Sequence, residues 1–190
     1  MTTPKKIIVL GNEDAIAKNI ANMAQLKTMV EKVSNNAMRV RILPDDSLIL
    51  HTKCDPVLEI TENIKAIARI QEFFLQLHAL DKPTPLAISA PQLGYLLRMF
   101  SYVKGAEREI ITVINPEIVY EKKIKFSREG CLSIPGRNYE LKRASIMKIR
   151  GLDVDGHITV HKGHDSTAFI FRHEIDHLNG ITVDMKGKAY

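Results

Sequence analysis

The sequence predicts an α+β fold in which mostly antiparallel strands surround a C-terminal His-Glu-x-x-His helix, with an additional helix near the N-terminus. Three observations predict it. Apolar residues recur at helical spacing in two early segments and again near the C-terminus, short β-rich runs fill residues 96–148, and the two kinds of segment are segregated rather than alternating. With 190 residues, 45% hydrophobic and 26% charged, the chain has the size and apolar content of one globular domain with a short appendage.

In the first segment Ile16, Ile20, Met23, Met29, Val30 and Val33 recur with Lys, Asn and Gln between them, the pattern of an amphipathic helix over about residues 13–33. Its apolar stripe is expected to pack on its own domain rather than on a partner, and residues 1–42 are assigned to an N-terminal extension that carries it. A second helix is expected over about residues 61–78, where Ile64, Ile67, Ala68, Phe74, Leu75 and His78 share one side before Asp81, Pro83 and Pro85 stop it. His78 reads as a packed residue, not a ligand. Strands follow at 99–103, 110–114 and 146–149, with Asn115-Pro116 and Pro135-Gly136 as breaks, and Asp155-Gly156 between Leu152 and Ile158 signals a hairpin turn. A last helix at about 166–178 ends at Asn179-Gly180.

The 27 basic residues are offset by 22 acidic ones spread along the chain, so the formal charge of +5 implies a mildly basic face and no dedicated nucleic-acid site. Two distant cysteines, Cys54 and Cys131, make no disulfide framework and suit a reducing compartment. After Lys5 and Lys6 only residues 7–10 are apolar, too few for a secretory signal, and no stretch approaches the roughly 20 apolar residues of a membrane span. A soluble, cytoplasmic protein without a membrane partner is expected.

Chemistry is written most densely at His173-Glu174-Ile175-Asp176-His177. Two histidines four apart on a helix project from one face and can grip one metal ion, with Glu174 beside that face. A catalytic site of this kind needs a third protein ligand. A thermolysin-like arrangement fails because no Glu follows His177, and the arrangement with a third His six residues on fails because Val183 stands there, although Gly180 is present. Upstream, Glu129-Gly130-Cys131-Leu132-Ser133 offers a cysteine beside a Gly that permits close backbone approach. A Cys131 thiolate with the His173 and His177 imidazoles makes a three-ligand site for Zn²⁺ or Fe²⁺.

With these residues in place, the sequence resembles the peptide deformylases, whose three signatures appear in the family's order. EGCLS at 129–133 and HEIDH at 173–177 match in full, and Leu86-Ala87-Ile88-Ser89-Ala90-Pro91-Gln92 matches in part. The family usually carries glycines where this chain has Pro85 and Ala87, and commonly alanine where it has Ser89. The resemblance covers about residues 43–183, including LDVDGH at 152–157, and makes 43–190 a deformylase-like catalytic domain.

That resemblance implies removal of the formyl group from formyl-methionyl peptides of newly made proteins, releasing formate. It implies one divalent metal ion, Fe²⁺ by family habit with Zn²⁺, Ni²⁺ or Co²⁺ accepted, and Glu174 as the group that takes the water proton and returns it to the leaving amine. The Gln92 side chain and the Leu132 N–H would donate to the oxygen that becomes negative. The peptide would add as a strand along Leu86, Ala87, Ile88 and Gly130, with Phe169 and Ile170 as candidates for the methionine pocket. Glu129 and Arg143 match charged family positions and would pair behind the ligands, with Asp176 beside them. Implied partners are the formylated nascent chain and, as a further candidate, the ribosome. Two other readings stay open: a metal-binding protein of this fold with a regulatory role, motivated by Pro85 and Ala87, and a metallo-amidase for another acyl group.

Overall fold

The computed structural model describes residues 42–190. The helix expected at 13–33 lies outside the described residues, as does all but the last residue of the extension assigned to 1–42.

Helix α1 spans Glu62–Leu77 and starts where Thr61 accepts a hydrogen bond from the Ile64 N–H at 3.5 Å. It buries Ile64, Ile67, Ala68, Phe74 and Leu75, the apolar side read from the sequence, together with Gln71. His78 follows the last turn, its ring 4.5 Å from that of Phe74 and its Nδ1 against the Asp81 carboxylate. This is the packed role expected of it.

The strands form one antiparallel sheet of six: β1 (Ala87–Ser89), β2 (Met99–Lys104), β3 (Glu109–Cys131), β4 (Ile134–Leu152), β5 (Ile158–His164) and β6 (Lys188–Ala189). The order is β1-β2-β3-β4-β5, with β6 also on β4. Two of the expected breaks do not end strands. At Asn115-Pro116 the register shifts between Ile114 and Glu117, and Asn115 takes a φ of 50° while its side-chain amide brackets Val57, donating to the carbonyl at 2.7 Å and accepting from the N–H at 2.8 Å. A bulge can omit the ladder N–H that proline lacks, so β3 bends and continues. Pro135 is the second residue of β4, just past a hairpin in which Cys131 pairs with Ile134. The Asp155-Gly156 signal is a turn in which the Gly156 N–H donates to the Asp153 carbonyl at 3.1 Å, returning the chain into β5.

Helix α2, Ser166–Leu178, packs Phe171, Ile175 and Leu178 against Phe100, Tyr102, Val113, Met147 and Ile149 of the sheet, all buried. Its two ends are set by close backbone approach. A Cβ on Gly163 of β5 would lie 2.8 Å from the Ala168 N in the first turn of α2, and one on Gly180, already at φ 73°, would lie 2.8 Å from the His51 backbone. The Cys54 N–H donates to the Leu178 carbonyl at 3.0 Å, pinning the helix C-terminus.

Gly163→Ala forces backbone against backbone, so we expect a loss of about 1–3 kcal/mol, the range for overpacking. Urea unfolding followed by circular dichroism measures it. An unchanged midpoint would mean that α2 slides freely on β5.

Candidate active site

Three elements converge beneath a cleft. β1 runs into a short 3₁₀ turn, Ala90–Leu93, closed by Gly94 in the left-handed region at φ 95°, and this turn buries Gln92. β3 ends at Cys131, where Leu132 and Ser133 turn the chain into β4. α2 presents His173 and His177 on the side opposite its apolar face, with Glu174 on the flank between the two.

The ligand atoms offered by Cys131, His173 and His177 all lie within 4.8 Å of one another. The Cys131 Sγ is 3.3 Å from the His177 Nε2. The His173 Nδ1 is spent on the Glu129 Oε2 at 2.9 Å, which leaves the other ring nitrogen for a ligand role and fixes the ring. Thiolate with two imidazoles is a donor set for Zn²⁺ or Fe²⁺, and the buried Glu174 Oε2 beside it has no hydrogen-bond partner. These residues fit a divalent cation with an adjacent group able to accept a proton. The other close cluster among the described residues, Asp153, Asp155 and His157, lies on the exposed hairpin, where Asp153 accepts the Asp155 and His157 N–H groups.

A buried charge network braces the ligands. Arg143 on β4, its side chain 3% exposed, donates through Nε and Nη2 to both oxygens of Glu129 at 2.9 Å, and through Nη1 to the Asp176 carboxylate of α2. Asp176 also accepts from the Lys186 Nζ at 2.9 Å, and Glu129 from the Ser127 hydroxyl at 2.7 Å. Burial pushes the Glu129 carboxyl up, but the hydrogen bonds from His173 and Arg143 outweigh it and hold its pKa at about 2.

Glu174 is different. Burial pushes its pKa up to about 7, only partly offset by His173 and the Ser89 hydroxyl. Burial holds His177 well below the ordinary histidine value, in the neutral form a ligand requires. For His173 burial opposes charge, yet hydrogen bonds to Cys131 and Glu129 raise its pKa to about 10, so a proton competes with a cation for that lone pair.

Gln92 donates from Nε2 toward the Cys131 Sγ at 3.8 Å and the Ser133 Oγ at 3.4 Å, while its Oε1 accepts from the Ser89 N–H and hydroxyl, both at 3.0 Å. Leu86, Ala87, Gly130, Leu132, Phe169 and Ile170 line a cleft of about 980 Å³ that reaches His173 and Glu174. Ile88 does not line it, against expectation. Alternation along β1 turns its side chain fully inward, and its carbonyl is taken by Gln71 of α1 at 3.2 Å. Sequence reasoning also missed Ser89, Ser127 and Lys186 as contributors. Ser89 alone carried a signal, a polar residue inside the apolar run 86–91.

The fold and this site define a metal-dependent hydrolase of the His-Glu-x-x-His class whose third candidate ligand is a strand cysteine. Residues 38–188 match the family model for polypeptide deformylase. A peptide deformylase of Thermoanaerobacter pseudethanolicus is 37% identical over 142 residues, covering 75% of this chain and 84% of the relative. Peptide deformylase 1 of Clostridium perfringens is 34% identical over 139 residues, 72% of this chain and 90% of the relative. The crystal structure of peptide deformylase from Thermus thermophilus superposes with a TM-score of 0.67 at 31% identity, covering 76% of this chain and 83% of that one. The chain belongs to the polypeptide deformylase family, and with it is a metal-dependent, formyl-removing hydrolase. No helix among the described residues is long and apolar enough to cross a membrane.

Arg143→Met strands two buried carboxylates, so we expect a loss of about 3–5 kcal/mol in urea unfolding. In the wild type, Glu129 has a folded pKa below its ordinary value of 4.5, so its contribution is present above that value and fades as the pH falls toward about 2. A wild-type midpoint flat across that window would contradict the pairing.

Proposed function

We propose that this chain deformylates formyl-methionyl peptides of newly made proteins, with Cys131, His173 and His177 holding one divalent cation and Glu174 moving the proton. The observation that carries this reading is the convergence of three ligand atoms within 4.8 Å beside a buried carboxylate oxygen that has no partner, on the floor of an apolar-walled cleft. Fe²⁺ is the proposed native ion, and Zn²⁺, Ni²⁺ and Co²⁺ suit the same donors. Held by Cys131, His173 and His177, such a cation would supply an acidified water and Lewis-acid polarisation of a carbonyl.

The chain's own groups do the rest. Glu174, with a pKa of about 7, takes the proton from the attacking water and delivers it to the departing amine as the C–N bond breaks. The products are formate and a free N-terminal Met. The Gln92 Nε2 and the Leu132 N–H donate to the formyl oxygen as it gains charge. Along β1 the Leu86 carbonyl is used by the Val103 N–H of β2, so alternation directs the Ala87 N–H and C=O to the other edge, where an extended peptide adds as a strand opposite Gly130. Phe169 and Ile170, half-buried one turn before His173, receive the methionine side chain. The formylated nascent chain is the proposed partner, met in the cytoplasm and at the ribosome. The free Cys54 and Cys131 suit that reducing compartment.

The test is formate release from formyl-Met-Ala-Ser by Fe²⁺-loaded protein, with the acetylated peptide as control. Stoichiometric metal without formate would sink the reading. Glu174→Gln should keep its metal and lose about 10²- to 10⁴-fold in turnover, because a carboxamide fills the space without accepting the proton. Retention of more than about a tenth of the activity would remove Glu174 from the role.

The two cysteines should separate by metal content. Cys131→Ser replaces a thiolate with a neutral hydroxyl and should lose metal on dialysis, whereas Cys54, whose thiol burial pushes up to about 11, tolerates Ser without metal loss. Equal retention by elemental analysis would contradict the ligand assignment.

A further inference from the structure

The tightest hydrogen bonds of the Gln92 side chain are at its Oε1, and they come from one residue. Ser89 is wholly buried, and its N–H and hydroxyl both reach the Gln92 Oε1 at 3.0 Å. The NH₂ end, by contrast, meets only distant acceptors, Ser133 Oγ at 3.4 Å and Cys131 Sγ at 3.8 Å. A carboxamide has nearly the same shape at both ends, so packing alone does not choose its orientation. The Ser89 N–H does, because an NH₂ turned toward it would meet another donor, and the hydroxyl adds a second hydrogen bond to the orientation so chosen. The amide is held firmly at its back and engaged only by the longer contacts to Ser133 and Cys131 at its front.

We propose that Ser89 is a positioning residue for the reaction: its buried hydroxyl locks the Gln92 carboxamide with the NH₂ group turned toward the reacting oxygen beside Cys131. The inference rests on the deformylase reading and on Gln92 as the oxyanion donor. An alanine at 89 would keep the backbone N–H but leave the second lone pair of Oε1 without a donor in a fully buried site, so the amide would rock. Gln92 works on a charge that exists only as the water adds, so the lock acts on turnover rather than on peptide binding. The same hydroxyl borders Glu174, which offers it a competing acceptor.

A double-mutant cycle separates these routes. Wild type, Ser89→Ala, Gln92→Met and the double variant are compared at equal metal content, with urea midpoints measured alongside. Ser89→Ala should lower kcat about three- to ten-fold, the range of one net hydrogen bond, with KM unchanged within about two-fold. In the Gln92→Met background the same substitution should change kcat less than about two-fold, because the effect has lost its carrier. In the peptide-free protein, the Gln92 side-chain ¹⁵N–¹H₂ resonances should show lower order parameters in Ser89→Ala. Full multiplicativity in the cycle would route the effect through Glu174 and overturn the proposal, as would an unperturbed Gln92 amide or a kcat unchanged in the single variant. A wild type that releases no formate would instead sink the deformylase reading, so the two failures are distinguishable.

Discussion

The Arg143 guanidinium is the group on which the site's geometry depends. It reaches from β4 to Glu129 near the end of β3 and to Asp176 on α2, tying together the strand that carries Cys131 and the helix that carries both histidines. Burying three charges is costly, and attraction alone does not repay it unless each polar atom is also satisfied. Here both oxygens of Glu129 and both of Asp176 have donors, from Ser127, His173 and Lys186 as well as Arg143. The network therefore fixes orientation. Through Glu129 it sets the ring of His173 and leaves its other nitrogen for a ligand role.

His177 has no such partner. Its Nδ1 is buried without a hydrogen bond, so its ring is held by packing, by the Cys131 Sγ 3.3 Å from its Nε2 and by the edge-on contact with His173 at 4.8 Å between centroids. Both histidines lie on one face of α2, a turn apart, but only His173 lines the cleft. Phe171, Ile175 and Leu178 tie the helix to the sheet, and the close backbone approaches at Gly163 and Gly180 fix it along its length. Rigid placement by the core lets one histidine do without a hydrogen-bonded brace, while the other sits beside the cleft and is braced by charge.

Helix α2 was legible to the residue because its apolar stripe, the Asn179-Gly180 stop and the HExxH spacing all agree locally. Strands β3 and β4 were not, because Asn115-Pro116 is punctuation in the chain but a bulge in the sheet, and the difference lies in the partner, Val57, 58 residues away. β5 was signalled only by its hairpin turn and not by its own pattern, because it is an edge strand with Ile158 and Val160 exposed and lacks a buried stripe. Around the site the sequence named Cys131, His173 and His177, and the fold brings them together. The supporting contacts were not readable, because Ser89, Ser127 and Lys186 are common residues that acquire meaning only from what faces them.

Ala87 and Pro85, the two departures that most invited a non-catalytic reading, are accommodated by the way β1 is built. A side chain on a strand stands perpendicular to the sheet, whereas an added peptide pairs along its edge. The Ala87 methyl packs against the cluster around Phe100 and Phe171, so it fills the floor rather than blocking the edge from which its N–H and C=O point. Pro85 is buried two residues before β1 begins, and the first strand bond there is made by the Leu86 carbonyl, so the N–H that proline lacks is not needed by the ladder. The glycine freedom common in the family is replaced by a half-buried methyl on the cleft floor and a fixed φ ahead of the strand. Both stiffen β1, and a stiff β1 holds Ser89 and the turn that presents Gln92.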